Sequence, residues 1–389
     1  MKKKIDPSSV LNVGAFREYL QSLGIEEMLP ELTVGILKDL EAKANEQLKI
    51  KKNKNRITTN DNSKDHVKAE SVLNNEEVSE LPTWVVDQIK DSFVIGKSGS
   101  VIQVPDGRKY HRKNRLNDLA GGQWTFFLNS VINTRFPTKG IESYAHDIRK
   151  VHPSPKPPQL MRDIIEFFTK ENEVVLDCFM GVGGTLLGAS LCNRKAVGID
   201  LNQKYIDAYK QANQSLGLDE QESILGDSIR LLKDSALMKS HLKGRDVSLV
   251  LIDPPYGDML AREKTGEAIK KHKDTSPTPF TDLVTDLGNM EIDEFFPVFK
   301  ESVKDSMKFL KSRGHIVVFM KDLQPSKTSP NLLHARVIQD LANIDGLSYL
   351  GMKIWADQGV NLYPYGYPFA FVSNQIHQYI MIFRMDSDV

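Results

Sequence analysis

Cysteine is nearly absent: Cys178 and Cys192 are the two in 389 residues. Their spacing matches neither a metal site nor a disulfide framework, which fits a reducing cytosol. No apolar run reaches the length of a membrane span. The stretch Met1-Lys2-Lys3-Lys4-Ile5-Asp6 has basic residues with no apolar core behind them. A cytoplasmic protein without a signal peptide is therefore expected. Net charge is missing too, because 51 Lys and Arg balance 51 Asp and Glu. The whole molecule does not advertise a polyanion partner. With 40% apolar and 26% charged residues the composition is that of an ordinary globular protein. The length suits one large α/β domain and a smaller region.

The charge that is there is unevenly spread. Eleven Lys or Arg lie between Lys97 and Lys156, against four acids, Asp106, Asp118, Glu142 and Asp147. Such an excess marks either a phosphate-binding face or a solvated surface. Residues 1–48 read as a helical region, with Phe16, Tyr19, Leu20 and Leu23 at helical spacing. Residues 49–80 are polar and poor in apolar side chains, the pattern of a flexible linker. Residues 81–150 hold short β-like runs, Ser92-Phe93-Val94-Ile95 and Val101-Ile102-Gln103-Val104, and a basic segment from Arg108 to Lys113. Basic side chains interleaved with Tyr110 and Trp124 suit nucleic-acid contact. The plainer reading makes Trp124, Phe126 and Phe127 core residues.

From residue 151 the pattern becomes a strand-and-helix alternation. A helix from Gln159 to Phe168 precedes a strand, Glu173 to Asp177. The strand runs into Cys178-Phe179-Met180-Gly181-Val182-Gly183-Gly184-Thr185, a glycine turn opening a helix. Glycines there let backbone amides approach a ligand. About twenty residues on, Ala196-Val197-Gly198-Ile199 ends at Asp200, and an acid at that place can hold a ribose diol. An adenosine-containing cofactor is expected. A third strand precedes Asp227, placed either to accept from an adenine amine or to cap the helix that follows. The fourth, Leu249-Val250-Leu251-Ile252, stops at Asp253-Pro254-Pro255-Tyr256. Proline cannot continue a central strand, so Asp253 stands where a strand ends and a rigid turn begins. Open α/β sheets place their chemistry at that end. The Asp253 carboxylate and the Pro254 carbonyl offer two acceptors for one amino group, held in advance by the fixed φ of Pro254 and Pro255. Tyr256 offers a ring for stacking. A structural turn is the alternative.

Further strands read at Gly314–Met320, Leu350–Trp355 and His377–Arg384. A basic polar segment runs from Arg262 to Lys273, and an aromatic loop from Tyr363 to Phe369. The aromatic loop suits either a cover over a flat base or packing at the domain edge. His334, alone on an amphipathic helix, reads as a surface residue.

Together these segments resemble the amino-methyltransferases of DNA, which methylate adenine N6 or cytosine N4. His152-Pro153-Ser154-Pro155-Lys156-Pro157 is similar to the family's His-Pro-x-x-Lys-Pro segment. Residues 176–185 resemble its cofactor loop, Gly198-Ile199-Asp200 its second motif, and Asp253-Pro254-Pro255-Tyr256 its catalytic tetrapeptide. The resemblance covers about residues 150–385. It implies a seven-stranded, mostly parallel Rossmann-like methyltransferase sheet with the last strand antiparallel, in a catalytic domain spanning 151–389. It implies S-adenosylmethionine as cofactor, held by Lys156, Pro157, Asp177, Phe179, Gly181, Gly183, Thr185, Asp200 and Asp227, with no metal. It implies direct transfer to a flipped base of double-stranded DNA, with Asp253, Pro254, Pro255 and Tyr256 as the catalytic group. A cognate restriction endonuclease would be the further partner. Cys178 stands where the family usually has proline, and the Lys-Pro segment precedes the tetrapeptide, the reverse of many relatives. Asp at the first tetrapeptide position leans toward adenine N6. Cytosine-N4 methylation, guanine-N2 methylation of transfer RNA, and a non-catalytic nucleic-acid-binding protein are the rival readings.

Overall fold

The structure is a computed structural model that describes residues 67–387, apart from Lys97, residues 258–278 and residues 323–331. The expected N-terminal helical region and the basic segment Arg262–Lys273 lie outside the described residues. The described residues begin inside the expected linker. Strand β1 (Val67–Lys68) pairs with β2 (Phe93–Ile95). Asn74 and Glu77 form a reciprocal capping box at the head of helix Asn75–Ser79. With β3 (Val101–Gln103) and β4 (Lys109–His111) these strands make a small antiparallel sheet. Ala69, Val85, Ile102 and Tyr110 are its core. Tyr110 is thus buried, edge-on to Trp84, and is not a nucleic-acid contact.

The main sheet has eight strands. They are β5 (Val131–Thr134), β6 (Val174–Asp177), β7 (Lys195–Asp200), β8 (Glu222–Leu225), β9 (Val247–Ile252), β10 (Leu310–Met320), β11 (Leu347–Asp357) and β12 (His377–Met385). Their order is β5-β11-β12-β10-β9-β6-β7-β8. The last strand, β12, runs antiparallel between β10 and β11, and the other neighbours pair parallel. This is the expected seven-stranded arrangement with one strand added at its edge. The addition comes from the basic N-terminal region, where β5 pairs with β11 in parallel.

Alternation along buried strands sorts side chains to two faces. Val250 and Ile252 of β9 join Ile316 and Val318 of β10 under helix Ile292–Met307. Leu249 and Leu251 join Val317 and Phe319 under helices Pro158–Phe168 and Gly184–Ser190. Both faces are covered, as a parallel sheet requires. No described helix is long and apolar enough to cross a membrane.

Candidate active site

The carboxyl ends of β6, β7, β8 and β9 open on one cavity of about 470 Å³. That is within the range of about 300–1,000 Å³ usual for small-molecule sites. Among the described residues six acids line the cavity, and four of them stand just at or past the ends of these strands: Asp177, Asp200, Asp227 and Asp253.

The first three are fixed by backbone N–H groups. Asp177 Oδ1 accepts from Phe179 N at 3.0 Å. Asp200 accepts from Gly181 N through Oδ2 and from Asn202 N through Oδ1, both at 2.8 Å. Asp227 Oδ1 accepts from Ile229 N at 3.0 Å and caps a short helix while lining the cavity. The helix-cap reading of Asp227 therefore holds, and the same side chain lines the cavity. Burial pushes Asp177 and Asp200 up to about 7, although those N–H groups, and the Thr185 hydroxyl at Asp177, act the other way.

The glycine turn between β6 and its helix bends sharply. Gly183 has φ +71°, and a Cβ there would lie 2.3 Å from the Tyr209 ring. Gly183 does not line the cavity, so its expected cofactor contact is replaced by this packing role. Gly184 presses on the Lys156 backbone, and a Cβ would fall 2.9 Å from the Lys156 carbonyl oxygen. That close approach packs the Lys-Pro segment against the glycine turn after β6. Pro157 precedes helix Pro158–Phe168 and borders a neighbouring cavity instead of this one.

Lys156 makes a contact that the sequence reading did not include. Its Nζ donates to Asp253 Oδ2 at 2.5 Å, a contact bridging 97 residues of sequence. The side chain expected on the cofactor lines the cavity and also holds the Asp253 carboxylate. The other oxygen, Oδ1, accepts from Tyr256 Oη at 3.0 Å. Tyr256 packs in the core among Phe295 and its neighbours, and burial holds its phenol well above the usual range, so it remains a donor. Its hydroxyl is committed to orienting Asp253, and only the part of the ring that borders the cavity is left for stacking.

Several lining residues escaped the sequence reading. His152 stacks on Phe280 at 5.2 Å and 21°, and lies edge-on to Tyr205. Burial draws it down to about 4, so the imidazole is neutral. Its signal was present, since it opens the Lys-Pro segment. Phe280 follows the undescribed insertion and had no signal. Lys321, just past β10, and Gln378 of β12 complete the wall. The carboxamide oxygen of Gln378 is buried and without a donor. His334 is less exposed than a surface residue would be: it stacks on Tyr379 and pairs with Asp322 at 2.7 Å.

Residues 36–211 match the family model described as DNA methylase. The match is a likeness to that family over part of the chain. A second model, conserved hypothetical protein 95, matches residues 161–286. Type II methyltransferase M1.MboII of Moraxella bovis is 39% identical over 17% of this chain and 24% of its own length. Type II methyltransferase M.HpaI of Haemophilus parainfluenzae is 37% identical over 18% and 22%. A tRNA (guanine(10)-N2)-dimethyltransferase of Methanocaldococcus jannaschii is 29% identical over 41% and 44%. The chain thus spans less than half the length of these relatives. S-adenosylmethionine is the cofactor of this family, and the site fits it. Three carboxylates face the cavity at successive strand ends, suited to a ligand that carries a cation, a ribose diol and an adenine amine.

Proposed function

We propose that the chain is a site-specific DNA methyltransferase acting on the exocyclic amine of a flipped base, adenine N6 first. The observation that carries this is Asp253, aimed into the cavity wall by two donors at the end of β9. When bound, S-adenosylmethionine supplies an electrophilic methyl group. Asp177, Asp200 and Asp227, with Phe179, Gly181 and Thr185, would hold it. Asp253 and the Pro254 carbonyl accept the two N–H bonds of the target amine. That leaves its lone pair facing the cofactor side. Asp253 is also the acceptor nearest to the proton the amine gives up. Pro254 and Pro255 keep both acceptors in place, so positioning supplies much of the rate. Lys156 Nζ and Tyr256 Oη each take one acceptor position of Asp253 and leave further lone pairs for the amine. A cognate endonuclease belongs to the same reading, as the enzyme whose cleavage the methylation would block.

A second reading, guanine-N2 methylation of transfer RNA, is favoured by the M. jannaschii relative, whose similarity runs over more of this chain than that of M1.MboII. Cytosine N4 keeps the mechanism and changes the base. Transfer of labelled methyl to duplex DNA and to transfer RNA, with nucleoside analysis of the products, separates all three. N6-methyladenine in DNA is expected. Asp253→Ala should reduce it by at least about 10²-fold while still binding the cofactor. Label in RNA alone would overturn the proposal.

A further inference from the structure

Beside the first cavity lies a second, of about 680 Å³, sharing Ser154, Pro155, Lys156 and Gln378 with it. It opens at the same edge of the sheet: Arg135 follows the end of β5, and Asp357 ends β11. Among the described residues its charged side chains are the four cations Arg135, Lys139, Arg149 and Lys156 and one acid, Asp357. Arg135 and Lys139 stand exposed at the rim and make no ion pair among the described residues. Arg149 is 1% exposed. Its Nη1 donates to the Lys156 carbonyl at 2.8 Å and its Nε to the Tyr144 carbonyl at 3.1 Å. No carboxylate pairs with it among the described residues. Burial draws it down to about 10, which leaves it charged at neutral pH.

A buried guanidinium with neutral acceptors alone is costly, and its fork has five N–H donors. An anion is what the arrangement lacks. Asp357 does not supply it: its Oδ1 accepts from Gly359 N at 2.8 Å, and it makes no ion pair with Arg149 among the described residues. Lys156 is already neutralised by Asp253. His146 is held below its ordinary value by burial first and by Arg149 second, so it adds no charge. Elsewhere in the N-terminal region some of the basic side chains are paired internally. Arg108 pairs with Asp106, and Arg112 with Glu77.

We propose that this cavity binds a backbone phosphodiester of the DNA strand whose base enters the first cavity. The inference rests on the DNA reading above and deepens it. A nucleotide flipped into the first cavity keeps its phosphates at the mouth, and the shared wall, Ser154 to Lys156, makes the second cavity the adjoining cationic surface. A singly charged, tetrahedral diester suits a fork with spare donors. Contacts of this kind position the strand without reading its sequence.

The test is anisotropy with a random-sequence DNA duplex over a salt series, on the full chain, for the parent and Arg135→Ala/Lys139→Ala. The variant should bind about tenfold more weakly at low salt, and its log–log salt slope should be shallower by about one. Cofactor affinity should stay within twofold. Arg149→Met should act in the same direction if its melting temperature holds, and the rim variant decides the matter if it does not. Equal slopes and affinities overturn the proposal, as does a loss seen with transfer RNA alone. Because the readout is binding, the two proposals fail separately. A slope change without methylation of DNA sinks the activity and spares the cavity. DNA methylation with an unchanged slope does the reverse.

Discussion

Asp253 is held from two sides by groups of different kinds. Lys156 is 7% exposed at its side chain and Asp253 19%, so their pair is largely desolvated. Removing one member of such a pair strands the other, at a cost of roughly 3–5 kcal/mol for full burial. Lys156→Met should therefore cost about 3 kcal/mol, nearer the low end because Asp253 keeps some water and its Tyr256 partner. Asp253→Asn strands the ammonium in turn. The double variant should recover part of the loss, with a coupling of about 1–3 kcal/mol. Urea denaturation of the four proteins measures it. Simple additivity would mean that the contact contributes nothing.

The strand ends carry a pH dependence of their own. Asp177 and Asp200 rise from an ordinary 3.8 to about 7 because β6 and β7 deliver them into a buried wall. Between those values the folded chain keeps protons that the unfolded chain has released. Their contribution to stability is therefore most favourable below about pH 4, falls as pH rises, and is fully lost above about pH 7. Asp200→Asn removes one of the two groups. The difference in stability between the parent and this variant should shift toward the variant from pH 5 to pH 8. Denaturation at both pH values checks it; a constant difference would show that Asp200 is ionised throughout.

The molecule as a whole is joined by contacts between its N-terminal part and the main sheet. Asn117 Nδ2 donates to the Phe167 carbonyl at 2.7 Å, and Asp118 pairs with buried Arg194 at 3.0 Å. Phe127 stacks on Phe167, centroids 3.9 Å apart, while Phe126 beside it is 83% exposed. The plainer reading of this aromatic run thus holds for Trp124 and Phe127 but not for Phe126. Lys353 of β11 donates to the carbonyls of Phe127 and Asn129, at the end of helix Gly121–Phe127. Phe127→Ala should cost about 2 kcal/mol, less than a fully buried Phe because the ring is half-buried. Phe126→Ala should stay within about 0.5 kcal/mol. Thermal denaturation of both variants distinguishes this docking from a loose tether, in which the two would behave alike.

Strand ends marked by an acid and a glycine or proline were legible in the sequence, because each element there is local. An apolar run, a turn residue and a carboxylate lie within ten positions, as at Asp177, Asp200 and Asp253. The one antiparallel strand came from a family resemblance, since no local pattern states direction. What only the tertiary structure decided involves partners far apart in the chain. Lys156 meets Asp253 across 97 residues. The short strand β5 becomes a strand by pairing with β11, more than 200 residues later. A basic stretch that looked uniform divides into arginines paired on the small sheet and cations left facing a cavity. Charge and hydropathy are properties of a residue, but whether a charge is neutralised depends on which other segment the fold brings against it.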